Sequence, residues 1–329
     1  MAIAPFFHSA LENIYISPLE LCNLNCQICY TNKTKHILTN EQILNFVSAY
    51  SSYLNTNQLN LKSILFCGGE VFTLPTFIPL INTLLYKNIF ISIITNGTID
   101  HLDQITDPKN CQLLVSFDGP KAIHDANRGR GNFQKSVNFV KHARTLGFPV
   151  EIMYLVTPQS YEFIDTFSIE NVKNNFITVK TKFYTDKHPL AVDTQSPGLT
   201  KEQILNIKRN YKTIPAKDFG CFQLSLQSNG KIYGCCETPR PIGLMTDNPQ
   251  VYVDAFTQSL NPCLSCVLRK GEQFLSAQSS EQSEGASTAK IGSPADKICG
   301  GCCDQDFLCG YKRELAVEHC TDVVTLFNS

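Results

Sequence analysis

Three cysteines near the N-terminus, in the run Cys22-Asn-Leu-Asn-Cys26-Gln-Ile-Cys29, follow directly on a short β-rich segment. This C-x3-C-x2-C spacing narrows what the chain can build around it. A tetrahedral zinc site wants four ligands, and no fourth Cys or His follows at zinc-ribbon spacing. Three thiolates on one loop suit instead a cubane [4Fe–4S] cluster whose fourth iron stays open to a substrate or cofactor. Ten more of the fifteen cysteines lie between Cys221 and Cys320. Disulfides fit that usage badly. Met1–Ala10 has no basic region and no long apolar one, and the odd count would leave one thiol unpaired. Apolar runs such as Asn88–Thr95 are strand-sized and far short of a membrane span. Thiolate-bound metal in a reducing cytoplasm is the better reading. Basic and acidic residues nearly cancel, 28 against 29, so nothing points to a nucleic acid or an anionic membrane as the main partner.

The length of 329 residues is that of about two domains. A polar Pro/Gly stretch at Asp193–Gly198 suggests a boundary near residue 195, giving domains 1–195 and 196–329. In the first, β-rich runs occur at Asn13–Pro18, Lys62–Cys67, Asn88–Thr95, Gln112–Phe117, Val150–Thr157 and Asn175–Tyr184. Helical apolar spacing falls between them. Thr39 or Asn40 can cap a first helix, a second reads Leu74–Tyr86 with Pro75 in its first turn, and a third, Asn132–Leu146, ends at Gly147. Such alternation predicts an α/β fold with a parallel sheet and crossover helices. Six strand units rather than eight suggest an incomplete (β/α)6 barrel with its chemistry in the loops at the C-terminal strand ends. Gly271–Lys297, rich in Ser, Gln, Glu, Ala and Gly, reads as a low-complexity insert.

The strand ends carry a series of motifs. Phe66-Cys67-Gly68-Gly69-Glu70 follows the second run, Thr95-Asn96-Gly97 the third and Ser116-Phe117-Asp118-Gly119-Pro120 the fourth. Paired glycines let a ligand approach the backbone, and the Glu70 carboxylate can accept hydrogen bonds from a cationic amine. Taken singly, each motif is no more than a β-turn that needs Gly. Taken in order with the cysteine loop, they resemble the radical S-adenosylmethionine (SAM) superfamily. The run Ser116–Phe133 is similar to that of the subgroup with a C-terminal SPASM cluster domain. The resemblance implies that Cys22, Cys26 and Cys29 hold three irons of a [4Fe–4S] cluster while SAM chelates the fourth. It also implies that Gly68, Gly69 and Glu70 meet the SAM amino group, that Asn96 and Ser116 contact SAM, and that Ile28 packs near the adenine. Glu70-Val71 stands where many members have Glu-Pro.

The later cysteines resemble the seven-Cys SPASM pattern. Cys221, Gly230 and Cys235 fit its opening, Cys263 and Cys266 its C-x2-C, and Cys299, Cys303 and Cys320 its close. The low-complexity insert separates Cys266 from Cys299. The resemblance implies one or two auxiliary clusters, one on Cys263, Cys266, Cys299 and Cys320, the other on Cys221, Cys235 and Cys303. The second lacks a fourth ligand, which Cys236, Cys302 or Cys309 could supply unless the site is open to substrate. Zinc is the alternative for the whole set, since it also accepts four thiolates. Cys111 reads as an ordinary buried thiol, and Cys67 is ambiguous.

Acid–base candidates are weaker. Cys236 stands where sulfatase-maturing relatives carry an Asp base, which lowers that reading, and Glu237 comes next. His124 and Asp125 read as loop-stabilising. Arg128 and Arg130, flanked by glycines, read as exposed loop arginines that could reach SAM or an acidic substrate. The resemblance implies a cytoplasmic enzyme abstracting hydrogen from a peptide or protein to leave a crosslink, an epimer or an oxidised side chain. A flavodoxin- or ferredoxin-type protein would donate the electron. The chain starts almost at its first strand, so leader-peptide recognition would fall to a separate protein or to the C-terminal surface. The alternatives are a small-molecule or cofactor-precursor substrate, and a non-catalytic iron–sulfur protein that carries electrons or binds a partner.

Overall fold

A computed structural model describes residues 11–27, 29, 31, 33–169, 172–179, 199–200, 202–203, 206, 224–234, 241–257 and 323–325. Ile28, the boundary near residue 195, the insert 271–297, Glu237 and every cysteine from Cys221 onward lie outside the described residues.

The strands are β1 (Asn13–Ile16), β2 (Ser63–Phe66), β3 (Phe90–Thr95), β4 (Cys111–Phe117), β5 (Val150–Val156), β6 (Ser168–Ile169), β7 (Val172–Val179), β8 (Ser225–Leu226), β9 (Lys231–Tyr233), β10 (Pro241–Leu244) and β11 (Val323–Thr325). They form one sheet in the order β10-β9-β8-β1-β2-β3-β4-β5-β7-β11, with β6 paired to β7. The pairs from β1 through β5 to β7 are all parallel, so the six expected units are there, although the sixth starts at Val172 rather than Asn175. β8 continues the parallel order on the outer edge of β1, Ile16 opposite Leu226, and β9 returns antiparallel to it.

The helices are α1 (Asn40–Thr56), α2 (Phe77–Tyr86), α3 (Lys121–Arg128) and α4 (Asn132–Thr145), with a further helical stretch at 249–257. Thr39 caps α1 through a reciprocal pair with Gln42, at 3.2 Å from the Gln42 N–H and 2.8 Å from Gln42 Oε1 to the Thr39 N–H. α2 starts three residues later than its apolar spacing implies. Pro75 drives Leu74 into extended backbone (φ −81°, ψ 116°), so Thr76 becomes the helix boundary. α4 ends as expected before Gly147 at φ +85°. α3 is an addition: the His124–Arg128 run is helix, not loop. Between β3 and β4 the connection holds two 3-10 turns, Leu102–Gln104 and Pro108–Asn110.

The parallel strands have two unlike faces. Ile91, Ile93, Leu113, Val115, Phe117, Ile152 and Val156 are fully buried and belong to the core beneath α1, α2 and α4. Tyr15, Leu65, Ile94, Leu114, Met153 and Leu155 alternate with them and stand apart from that core, on the opposite, inner face. Asn13, Ser63, Ser92, Gln112, Ser116 and Glu151 share that face, which is therefore mixed in polarity and mostly half-buried.

An ionic clasp ties α4 to the segment after β3. His142 Nδ1 lies 2.8 Å from Asp100 Oδ2 and its Nε2 lies 3.4 Å from Asp103 Oδ1. The Asp100 hydrogen bond raises the His142 pKa, against a small opposing effect of burial. The clasp therefore stabilises fully below the ordinary imidazole value, and its contribution is lost as pH rises through the folded value. Asp100→Asn should bring the His142 pKa back toward normal by NMR titration. Because the groups are exposed, stability should change by only about 0.5 kcal/mol.

Candidate metal and cofactor site

β1 hands the chain to the cysteine loop along a route fixed by the end of β2. The Gly69 N–H donates to Leu19 O and the Glu70 N–H to Leu21 O, each at 3.0 Å. A Cβ on Gly69 would stand 1.9 Å from Leu21 O, and one on Gly68, at φ +136°, 2.2 Å from Leu19 O. The paired glycines therefore admit the chain's own backbone, a requirement independent of any ligand.

Glu70 is fully buried, and its carboxylate reaches the end of β3. It accepts the Asn96 N–H at 2.7 Å, the Thr95 hydroxyl at 2.9 and 3.0 Å and the Phe72 N–H at 3.2 Å. Burial raises its pKa to about 7 against the pull of these donors. Glu70 thereby welds the ends of β2 and β3.

The loop itself is held from three sides. Asn96 Nδ2 donates to Asn23 Oδ1 at 3.0 Å and approaches Cys22 Sγ at 3.7 Å, while Asn23 Nδ2 donates to Thr98 Oγ1 at 2.8 Å. Lys33 Nζ donates to Leu24 O at 2.7 Å and to Asn25 Oδ1 at 2.8 Å. The Gln27 N–H donates to Asn127 O, in the last turn of α3, at 3.2 Å. Below the loop Glu20, 1% exposed, accepts the Ser228 hydroxyl at 2.6 Å and the Thr34 hydroxyl, joining β1 to the β8–β9 turn.

Cys22, Cys26 and Cys29 are half-buried free thiols. Among the described residues, no group of three or more His, Cys, Asp or Glu side chains is arranged to hold a single metal ion. A cubane asks something different, one iron per thiolate, and three thiols spread along one braced loop fit that donor set. Burial raises the Cys22 pKa and pushes the Cys26 thiol up to about 11, with Arg128 pulling Cys26 back down. Binding iron would displace protons from both.

Ser116 lies half-buried on the inner face of β4, opposite Met153 and two residues before Asp118. Asn96 is 7% exposed and committed to the loop. Cys111 is fully buried in the core, and Cys67, half-buried, ends β2. The arginine reading needs correction. Arg128 is no exposed loop residue: its Nε and Nη2 each lie 2.7 Å from the two oxygens of Asp118, and only 12% of its side chain is exposed. Arg130 remains exposed. His124 is fully buried, and its Nδ1 accepts the Asp118 N–H at 3.4 Å. Asp118 entered the sequence reading only as one residue of the strand-end motif Ser116–Pro120, with no partner assigned, and Glu20 did not stand out. The signal for Asp118 was its place after a strand in a Gly-Pro turn; Glu20 left none.

Residues 16–168 match the radical SAM superfamily. A curated relative, the radical SAM cyclopropyl synthase TigE of Paramaledivibacter caminithermalis, is 23% identical over 305 residues. That alignment takes in 75% of this chain and 64% of the relative, so the chain spans less than two thirds of it. Native anSMEcpe with bound AdoMet and the Cp18Cys peptide superposes with a TM-score of 0.57 at 19% identity, over 74% of this chain and 83% of that one. The same enzyme with AdoMet alone gives 0.53 at 18% identity, over 71% and 78%. At these identities the superpositions establish the fold.

The glycine requirement is open to direct test. Gly69→Ala should leave the far-ultraviolet circular dichroism near wild type. After anaerobic reconstitution it should lose about four irons per chain, the content of one cubane.

Proposed function

Since residues 16–168 of this chain form a radical SAM domain, we propose that the protein cleaves SAM reductively at a [4Fe–4S] cluster on Cys22, Cys26 and Cys29 and abstracts hydrogen from a peptide or protein substrate. The observation that carries this reading is the bracing of three half-buried thiols by the ends of β2, β3 and the helix after β4. When bound, the cluster and SAM supply a 5′-deoxyadenosyl radical able to attack an unactivated carbon.

The chain's own groups bind and orient. The N–H groups of SAM's amino group would need acceptors on the protein. With the Glu70 carboxylate engaged by Thr95, Asn96 and Phe72, the carbonyls of Gly68 and Gly69 are the acceptors this strand end offers. Asn96 and Ser116 take the remaining polar contacts of SAM, and the spare N–H groups of Arg128 suit its carboxylate. The apolar side chains of the inner face, among them Tyr15, Leu65, Met153 and Leu155, would shield the reacting carbon from water.

A peptide substrate is supported by relatives alone: anSMEcpe is solved with a bound peptide, and the chain shares its fold. Cys221, Cys235, Cys263, Cys266, Cys299, Cys303 and Cys320 hold one or two auxiliary clusters in this reading, with the second completed by Cys236, Cys302 or Cys309 or left open to substrate. A crosslink, an epimer or an oxidised side chain are the products it allows.

Anaerobically reconstituted protein with dithionite should release 5′-deoxyadenosine from SAM, measured by chromatography. Cys26→Ala should lower that release by about 100-fold or more; wild-type release in this variant would sink the assignment. Iron analysis should return about eight to twelve irons per chain, and about four would remove the auxiliary clusters.

A further inference from the structure

The chain that leaves the cysteine loop turns back along it, and the return is pinned at several points. Lys33 Nζ holds Leu24 O and Asn25 Oδ1, and the Thr34 N–H and hydroxyl both donate to the buried Glu20 carboxylate. Ile37 then bridges antiparallel to Leu19, and the Leu38 N–H donates to Pro18 O at 2.8 Å. Thr31 stands at the start of this return, half-buried, with its Oγ1 3.2 Å from Cys29 Sγ. Cys22 has donors of its own: the Leu24 N–H lies 3.4 Å and Asn96 Nδ2 3.7 Å from its sulfur.

We propose that Thr31 eases reduction of the cluster on the Cys22–Cys29 loop by donating its hydroxyl to the Cys29 sulfur, an inference that rests on that cluster being there.

Between a thiol and a hydroxyl either atom can be the donor. Iron settles the direction. Binding displaces the thiol proton, and the thiolate that remains can only accept, so the rotatable hydroxyl turns its proton to it. Such a bond is charge-assisted and strengthens as charge on the sulfur grows. One-electron reduction adds negative charge to the cluster, and part of it falls on the thiolate sulfurs. The hydroxyl therefore holds the reduced state more tightly than the oxidised one. Hydrogen bonds to the sulfurs are one of the means by which a protein sets a cluster's potential, and this one raises it. The two N–H groups on Cys22 act in the same sense. Thr31 is a positioning residue, acting on the cluster through Cys29. A packing role alone asks less of it, because a methyl in place of the hydroxyl fills the same space.

The experiment is an anaerobic redox titration of the reconstituted full chain, followed by electron paramagnetic resonance without SAM. The relevant signal is the one that disappears in Cys26→Ala. At the potential where wild type is half reduced, Thr31→Val should lower the reduced-to-oxidised ratio by roughly fivefold, while Thr31→Ser should stay within about twofold of wild type. In deuterium oxide, the exchangeable deuterium coupled to the cluster in pulsed spectra should weaken in Thr31→Val and persist in Thr31→Ser. An unchanged or raised ratio in a Thr31→Val protein that keeps its iron would overturn the proposal. So would a shift in Thr31→Ser as large as that in Thr31→Val. If Thr31→Val takes up no iron, Thr31→Ala is read in its place. Loss of iron from both, beside an intact Thr31→Ser, also refutes it, since the hydroxyl would then serve assembly and not potential. Failure of the underlying reading looks different, because wild type would then show no signal sensitive to Cys26→Ala.

Discussion

The site depends on a backbone-to-backbone approach made where no side chain can stand. Gly68 and Gly69 bring the end of β2 against Leu19 and Leu21, and two 3.0 Å hydrogen bonds lock the contact. Every other support is secondary to it. The cysteine loop starts at its exit, Glu70 follows it directly and reaches across to β3, and Asn96, itself held by Glu70, steadies Cys22. A side chain at Gly69 would push on backbone rather than on a flexible neighbour, and nothing nearby could yield cheaply.

Much of this was legible in the residues. Periodicity and turn chemistry located the parallel strands, because a half-covered strand alternates and a buried helix face repeats. The limits of α1 and α4 followed from Thr39 and Gly147. The start of α2 was misplaced because the constraint Pro75 puts on Leu74 outweighed the apolar spacing. α3 escaped notice since its eight residues bury little besides His124, so no apolar stripe announces it. The same blindness explains Arg128. Its partner Asp118 is ten residues away, across a turn and a helix, and flanking glycines suggest exposure when only local sequence is read. Likewise, the bonds that the Glu70 carboxylate accepts from Thr95, Asn96 and Phe72 left no local signal, because that pairing exists only after β2 and β3 align.

The two faces of the sheet divide the labour. Residues beneath the helices supply the buried area that holds the strands in register, and they are fully enclosed. The inner face contributes little to that core and is free to be shaped by what it receives. Polar groups stand both at the strand ends and within the strands, where Ser92 and Gln112 bond each other across β3 and β4. Such a division lets the loops diversify without unsettling the core.

β8 joins the sheet beside β1, and Ser228 reaches Glu20 across 208 residues of sequence. The loop that carries Cys22, Cys26 and Cys29 therefore emerges in synthesis well before the residues that brace it from below. Contacts of such separation are slow to form, because the loop between them must close before any bond is gained. Until β8 is made, the strand that leads into the cysteine loop keeps one unpaired edge, a liability for a nascent chain.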